Sequence, residues 1–212
     1  MAFTDSDCQP RKDWLACAIR CLGENENVSR VGGKIELMLP TDKPLSPIQI
    51  YEKVFAFRQM DYVEEQGMAA TANMIAKKSV FENAGLFDDS LMSGGDAEWG
   101  IRANRLGHKI VYCSSCVVLH PTRNSFAEVV QKARREIGGQ FLLEKNKHFA
   151  RRSFDVILGI LPPVRSIKKV IFSKNYTLRE KIIAVSLRYV LRLIVHYEKA
   201  LLLLSFKKVE RI

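Results

Sequence analysis

All of the chain's excess positive charge lies toward one end. Residues 151–212 hold 14 Lys/Arg against 4 Asp/Glu, a surplus of +10 that equals the net charge of the whole 212-residue chain. Residues 1–150 hold 19 of each sign and are neutral. A chain divided this way is expected to fold as a neutral body that binds or catalyses and a basic arm that meets an anionic surface. The length allows one domain with a real core plus an appendage. An apolar content of 47% excludes a disordered protein. The opening residues carry Asp5, Asp7, Arg11, Lys12 and Asp13 without a long apolar run, so no secretory signal is read there. The five cysteines are odd in number and suggest no disulfide framework. Cys113-Ser-Ser-Cys116 sits in a strand-like run without a second CxxC, and these thiols are read as small buried hydrophobes in a reducing compartment.

Strand and helix signals alternate through the body. Ala2–Thr4 reads as the end of a strand. Pro10 and Asp13 open a helix over Trp14–Leu22 that Gly23 stops. Val31–Leu39 reads as a strand, and Pro40, Pro44 and Pro47 mark a loop. Ile50, Val54 and Phe57 space one buried face of a helix over Ile48–Met60. Ala69–Ala76 reads as a short strand of small residues. Ser79 with Glu82 forms a capping box for a helix to Ala84. The spacing predicts a helix from Ala97 to Leu106 ended by Gly107, a strand Lys109–Leu119, and a helix Ser125–Phe141 capped by Ser125 and Glu128.

The chemistry-bearing residues cluster at the ends of these elements. Asp5 and Asp7 follow a strand at the edge where open α/β sheets bind ligands. Carboxylates at i and i+2 can share a hard divalent cation, which takes phosphate oxygens as further ligands; acidic turns also produce this spacing. In LMSGGDAEWGIR (91–102), Gly94-Gly95 permits a tight turn and sets Asp96 at a helix start, with Glu98 and Trp99 beside it. An N-cap is the plain alternative for Asp96. Asn73 offers an amide to a ligand or serves close packing. His120, at a strand end before Pro121, either reaches the edge of Asp5 and Asp7 or is structural.

Taken in order, FTDSDCQP, TANMIAKKSVFENAGLFDDSL, SGGDAEWGIRANRLGHKIVY and VVLHP resemble the family-two glycosyltransferases of the GT-A fold, over about residues 1–145. The resemblance implies an α/β fold: a partial GT-A domain, Rossmann-like and specific for nucleotide-diphospho-sugars, over residues 1–150. It implies that Asp5 and Asp7 are the DxD that holds Mg²⁺ or Mn²⁺ against the donor diphosphate, with His120 completing the metal site. Asp96 matches the base that deprotonates an acceptor hydroxyl for inverting transfer. Asn73, Glu98, Trp99 and Arg102 are expected at the donor and acceptor sites. Gly95 stands where members often carry Glu. The family's first half, which binds nucleobase and ribose, would precede residue 1. The chain is therefore expected to be a fragment that is inactive alone.

In residues 151–212, LGILPP breaks the chain. A long helix is predicted over Leu178–Leu204, capped by Thr177 and Glu180. Lys181, Arg188, Arg192 and Lys199 fall on one stripe of it. Its charges make a poor transmembrane span, and an amphipathic tail lying on the membrane surface is expected. The predicted protein transfers sugar from a nucleotide-sugar to a lipid-linked or polysaccharide acceptor, as in polysaccharide biosynthesis. It would sit in the cytoplasm, peripheral on the inner face of the cell membrane, touching anionic lipid through residues 178–204 and no nucleic acid. The rivals are a non-catalytic membrane-associated remnant or partner subunit, and a basic polyanion-binding protein.

Overall fold

A computed structural model describes residues 1–24, 26–91, 93–143 and 148–204. Met92 of the Gly-Gly-Asp segment and residues 205–212 of the basic tail lie outside the described residues. In chain order the elements are β1 (Ala2–Phe3), β2 (Gln9–Pro10), α1 (Trp14–Gly23), β3 (Val28–Met38), α2 (Pro47–Phe55), α3 (Gln59–Gln66) and a 3₁₀ turn (Thr71–Asn73). Then come β4 (Met74–Ala76), α4 (Lys78–Ala84), α5 (Gly95–Arg105), β5 (Lys109–Pro121), α6 (Phe126–Leu143), α7 (Phe149–Ile160), α8 (Val164–Ile171) and α9 (Leu178–Leu203).

These elements form two compact units. The first comprises Met1–Leu39, Phe57–Ser90 and Gly95–Thr122. Among the described residues its strands make one five-stranded sheet in the order β1-β4-β3-β5-β2. The long central pair, β3 and β5, is parallel; β4 runs antiparallel to β3 and to β1, and β2 antiparallel to β5. Because β1 and β2 lie at opposite edges, the segment between them, which carries Asp5 and Asp7, crosses from one edge of the sheet to the other.

Strand alternation sorts the core onto two faces. Met74 and Ala76 join Val80, Phe81, Trp99 and Ala103 under α4 and α5. Ile75 points the other way and joins Trp14, Val31, Cys116 and Val118 under α1. Arg30 is fully buried on the first face, with no carboxylate against it in the contacts it makes. Its guanidinium donates to the carbonyls of Gly100, Gly67 and His108 and to Asn104 Oδ1. Burial pulls its pKa down to about 10.

Several local expectations change. The helix expected over Ile48–Met60 is two helices, because Ala56 is extended and Phe57 takes φ 48°, a left-handed value that breaks the helical run. Only Met74–Ala76 of the small-residue stretch is strand; Thr71–Asn73 turns instead. The Ser79 capping box does not form: α4 starts a residue earlier, with Lys77 at the N-cap and no side-chain cap bond. Cys113 is not a free thiol but is paired with Cys21 as a disulfide between β5 and α1, while Cys17 and Cys116 are free and buried.

The second unit comprises Pro40–Ala56, Leu91–Gly94 and Arg123–Ile212, so it takes in α2 and α6 as well as the basic helices. α9 is its axis, packing on α2, α6, α7 and α8. The predicted Thr177–Glu180 capping box starts it. Ala184, Leu191 and Leu202 form its buried face. Two carboxylates are buried with cationic partners: Glu52 with Arg123 and Glu198 with Arg134. Three of the four cations of the expected basic stripe hydrogen-bond within the unit. Lys181 donates to the Ile171 carbonyl, Arg188 to the Tyr51 hydroxyl, and Arg192 to the carbonyls of Leu158 and Leu161. Helix ends leave such carbonyls without intrahelical partners, and the long cationic side chains satisfy them.

Candidate functional site

The sheet register brings the two ends of the first unit's sequence together. Gln9 pairs with Leu119, so the residues just before β2 lie beside the end of β5. The Cys8 N–H donates to the Asp5 carbonyl, closing a turn over Asp5–Cys8. The consequence is a cluster of Asp5, Asp7, Cys8 and His120 in which one ligand atom from each lies within 4.8 Å of every other. His120 is buried, Asp5 and Asp7 are exposed, and Nε2 of His120 is 3.9 Å from Asp5 Oδ2. The other ring nitrogen, Nδ1, is 2.6 Å from the Pro121 carbonyl. A carbonyl only accepts, so Nδ1 carries the proton and the Nε2 lone pair faces the aspartates.

The donor set suits a hard divalent cation. Carboxylate oxygens fit Mg²⁺ or Mn²⁺, and an imidazole nitrogen is acceptable to Mn²⁺. Cys8 is the odd member. Burial pushes its pKa up, and the neighbouring charges of Asp5 and Asp7 add to the rise despite a bond from the Asp5 backbone. Its soft sulfur is also a poor match for Mg²⁺ or Mn²⁺, which favour oxygen ligands. The aspartates and His120 are the residues that can hold a metal here.

Asp96 lies in the first turn of α5, half-buried. Its Oδ1 accepts from the Ala97 N–H at 2.9 Å and its Oδ2 from the Thr71 N–H at 3.4 Å. That second bond joins it to the 3₁₀ turn, which itself packs on β1 and β5, the strands beside Asp5, Asp7 and His120. A carboxylate has about four lone-pair sites, so two backbone donors leave both oxygens able to accept a further proton or hydroxyl.

The other expected site residues have work inside the fold. Asn73 is fully buried. Its Oδ1 accepts from the Trp14 indole at 2.8 Å, and its Nδ2 donates to the carbonyls of Lys34 and Cys116. These carbonyls straddle the irregular step where the β3–β5 register shifts, so Asn73 pins that bulge instead of offering its amide to a ligand. Gly33 makes room for it, since a Cβ there would collide with the Asn73 amide and the Cys116 carbonyl. Trp99 is fully buried, stacked on Phe81 at 4.3 Å, with its N–H on the Gly85 carbonyl, so it is core and does not line an acceptor pocket. Glu98 and Arg102 pair with each other at i, i+4, and Arg102 also donates to the carbonyls of Ala84 and Leu86. Hydrogen bonding to Glu98 raises the pKa of Arg102. Together the pair ties α5 to the end of α4 and so holds the helix that carries Asp96.

Two members of the site escape sequence reasoning. Cys8 is adjacent to the DxD, but only the β2–β5 pairing shows that it faces His120. Phe57 lies against the His120 ring, centroids 4.2 Å apart. It is the one non-glycine with positive φ among the described residues. A left-handed backbone at a bulky residue is costly by about 1–3 kcal/mol, and such strain clusters at functional sites. No sequence pattern signals it, because an apolar residue at helical spacing reads as core.

Against known proteins, a family model described as "Glycosyltransferase like family 2" matches residues 1–139. The chain is also similar to a protein named Glycosyltransferase AglE from Haloferax volcanii, 28% identical over 162 residues. That alignment covers 76% of this chain and 52% of the relative, so the chain spans about half the length of the curated relative it matches. The matched region contains the whole sheet, the cluster of Asp5, Asp7, Cys8 and His120, and Asp96. Its mixed α/β architecture fits a partial GT-A domain followed by helices. On the strength of a match over well more than half its length, the chain belongs to glycosyltransferase family 2.

Proposed function

We propose that this protein works in the transfer of a sugar from a nucleotide-sugar to a hydroxyl of a lipid-linked or polysaccharide acceptor, with inversion, at the inner face of the cell membrane. The observation that carries the proposal is the convergence of Asp5, Asp7 and His120 Nε2. Asp5 and Asp7, with His120 beside them, would hold a divalent cation. When bound, that cation offsets the charge of the leaving diphosphate as a Lewis acid.

The remaining chemistry belongs to the chain's own residues. The acceptor oxygen forms its bond to the anomeric carbon as the bond from that carbon to the diphosphate oxygen breaks. The bonding pair leaves with the nucleoside diphosphate, and the acceptor proton passes to Asp96. The Ala97 and Thr71 N–H groups fix the Asp96 carboxylate in orientation, so it need not reorganise on reaction. Glu98, engaged by Arg102, has a positioning part and does not stand in for the base.

The test is release of nucleoside diphosphate from a panel of nucleotide-sugars by the full protein, with Mn²⁺ and with chelator. Chelator-sensitive turnover is expected. Asp96→Asn should keep donor binding while lowering kcat by roughly 10²–10⁴-fold, the share of a general base. Glu98→Gln should lose less. Turnover of Asp96→Asn within threefold of the parent would remove Asp96 from this role. A non-catalytic partner subunit is favoured by one observation, the internal engagement of Asn73, Trp99, Glu98 and Arg102, and predicts no turnover with any donor.

A further inference from the structure

We infer that the second unit docks on an anionic bilayer through the outward apolar faces of α7 and α9, and not through the basic stripe of α9. The solvent side of a helix ordinarily carries charge, with the apolar stripe turned inward. Here the pattern is reversed. Phe154, Ile157 and Leu158 follow i, i+3, i+4 spacing along α7, with Leu161 at its C-cap, and Phe154, Ile157 and Leu161 are about three-fifths exposed (59%, 63% and 58%). On α9, Ile182, Leu193 and Tyr197 share one exposed side, with Tyr197 65% exposed. The two helices pack directly on each other, Gly159 lying against His196. Among the described residues no helix is long and apolar enough to cross a membrane. The surface is therefore suited to lie in an interface and not to span it.

Charge selects the occupant. Residues 151–212 carry a net +10. Lys181, Arg188 and Arg192 bond within the unit. Exposed cations lie elsewhere: Arg151 one turn before Phe154, Lys168 one turn before the 80%-exposed Phe172, Lys174 in the segment leading into α9, and Arg179 in the first turn of α9. Apolar side chains flanked by Lys and Arg match acyl chains beneath anionic headgroups. A second copy on the same face would bring +10 against +10, which opposes association. The bilayer is thus the partner whose chemistry fits both the apolar face and its rim.

This inference rests on the membrane-surface reading above. Its test uses neither donor nor metal, so its failure leaves the transfer reading standing, and the reverse also holds. The full protein is to be mixed with phosphatidylcholine vesicles and with vesicles containing phosphatidylserine. It should bind the anionic vesicles preferentially. Phe154→Glu with Ile157→Glu should weaken binding by about tenfold or more, since two apolar side chains lose their burial. Both positions are exposed, so the fold should tolerate the change, and circular dichroism checks this. Independently, Ile157→Trp should be quenched by brominated acyl chains in anionic vesicles. Absence of vesicle binding, absence of quenching, or loss of a dimer on the double substitution in place of loss of vesicle binding would each overturn the proposal.

Discussion

Nε2 of His120 stands 3.9 Å from Oδ2 of Asp5, while Nδ1 of the same ring is 2.6 Å from the Pro121 carbonyl. The second contact decides what the first can do. A proton held on Nδ1 by a carbonyl leaves a lone pair on Nε2, directed at the aspartates, as in metal-ligating histidines whose far nitrogen donates to a backbone oxygen. We therefore expect the neutral His120 ring to be the Nδ1–H tautomer. Nitrogen-15 NMR of labelled histidine measures this, and a proton on Nε2 would contradict the assignment.

Asn73 is predicted to be a stability residue. Replacing it with Ala leaves the Trp14 N–H and the carbonyls of Lys34 and Cys116 without their partner in the core. Unsatisfied buried groups are costly by about 1–3 kcal/mol each, so a loss of about 3 kcal/mol is expected by urea denaturation. Gly33→Ala should also destabilise, because its Cβ meets the same amide. A stability change under 0.5 kcal/mol, within the range of roughly neutral surface substitutions, would argue against the pin.

Arg30 should behave similarly, from the opposite face of the sheet. Arg30→Met removes the donors to Gly67, Gly100 and His108 and is expected to lower stability by about 3 kcal/mol or more. Arg30→Lys should restore only part of this, since one ammonium cannot reproduce the guanidinium fork. Equal stability of the Lys variant and the parent would count against the geometry described.

His196 makes the helical unit sensitive to acid. Burial, reinforced by the charges of Arg192 and Lys199 and opposed by Asp155, lowers its pKa to about 4 from an ordinary 6.5. Between those two values the unfolded chain binds a proton that the folded chain does not, so stability is present above pH 6.5 and falls as pH drops toward 4. His196→Gln should flatten that part of the stability–pH curve. An unchanged slope between pH 6.5 and pH 4 would show that other groups set it.

Much of this was legible in the sequence, and where it was not there is a physical reason. The α1 helix, the β5 strand and the α9 capping box follow from periodicity and caps, while the pairing of His120 with Asp5 and Asp7 is only what the family resemblance implies. These are local signals, or ones the fold class supplies. What stayed hidden depends on long-range register. In the sequence Asn73 is open between ligand and packing, and Trp99 is placed at the acceptor site by the resemblance, because such residues look alike whether they pack or bind; the Gly33 gap and the Phe81 stack show how they pack. The helix over Ile48–Met60 had a sound apolar spacing, yet Phe57 leaves helical φ and lies against His120. The basic stripe on α9 was correctly spaced, but spacing cannot tell which carbonyls its side chains will meet.

The metal centre is the central claim, and direct binding of Mn²⁺ to the full protein tests it most closely. Electron paramagnetic resonance follows the loss of free-ion signal as protein is added, with no need for donor or acceptor. Saturable binding of Mn²⁺ is expected, abolished by Asp5→Asn with Asp7→Asn, which keeps the side-chain shapes but removes both charged oxygen ligands. His120→Gln should weaken it more than a control substitution at an exposed site, because one of the three candidate ligands is lost. Equal Mn²⁺ affinity in the parent and in the double Asp variant would contradict the account and leave Asp5 and Asp7 as an ordinary acidic turn.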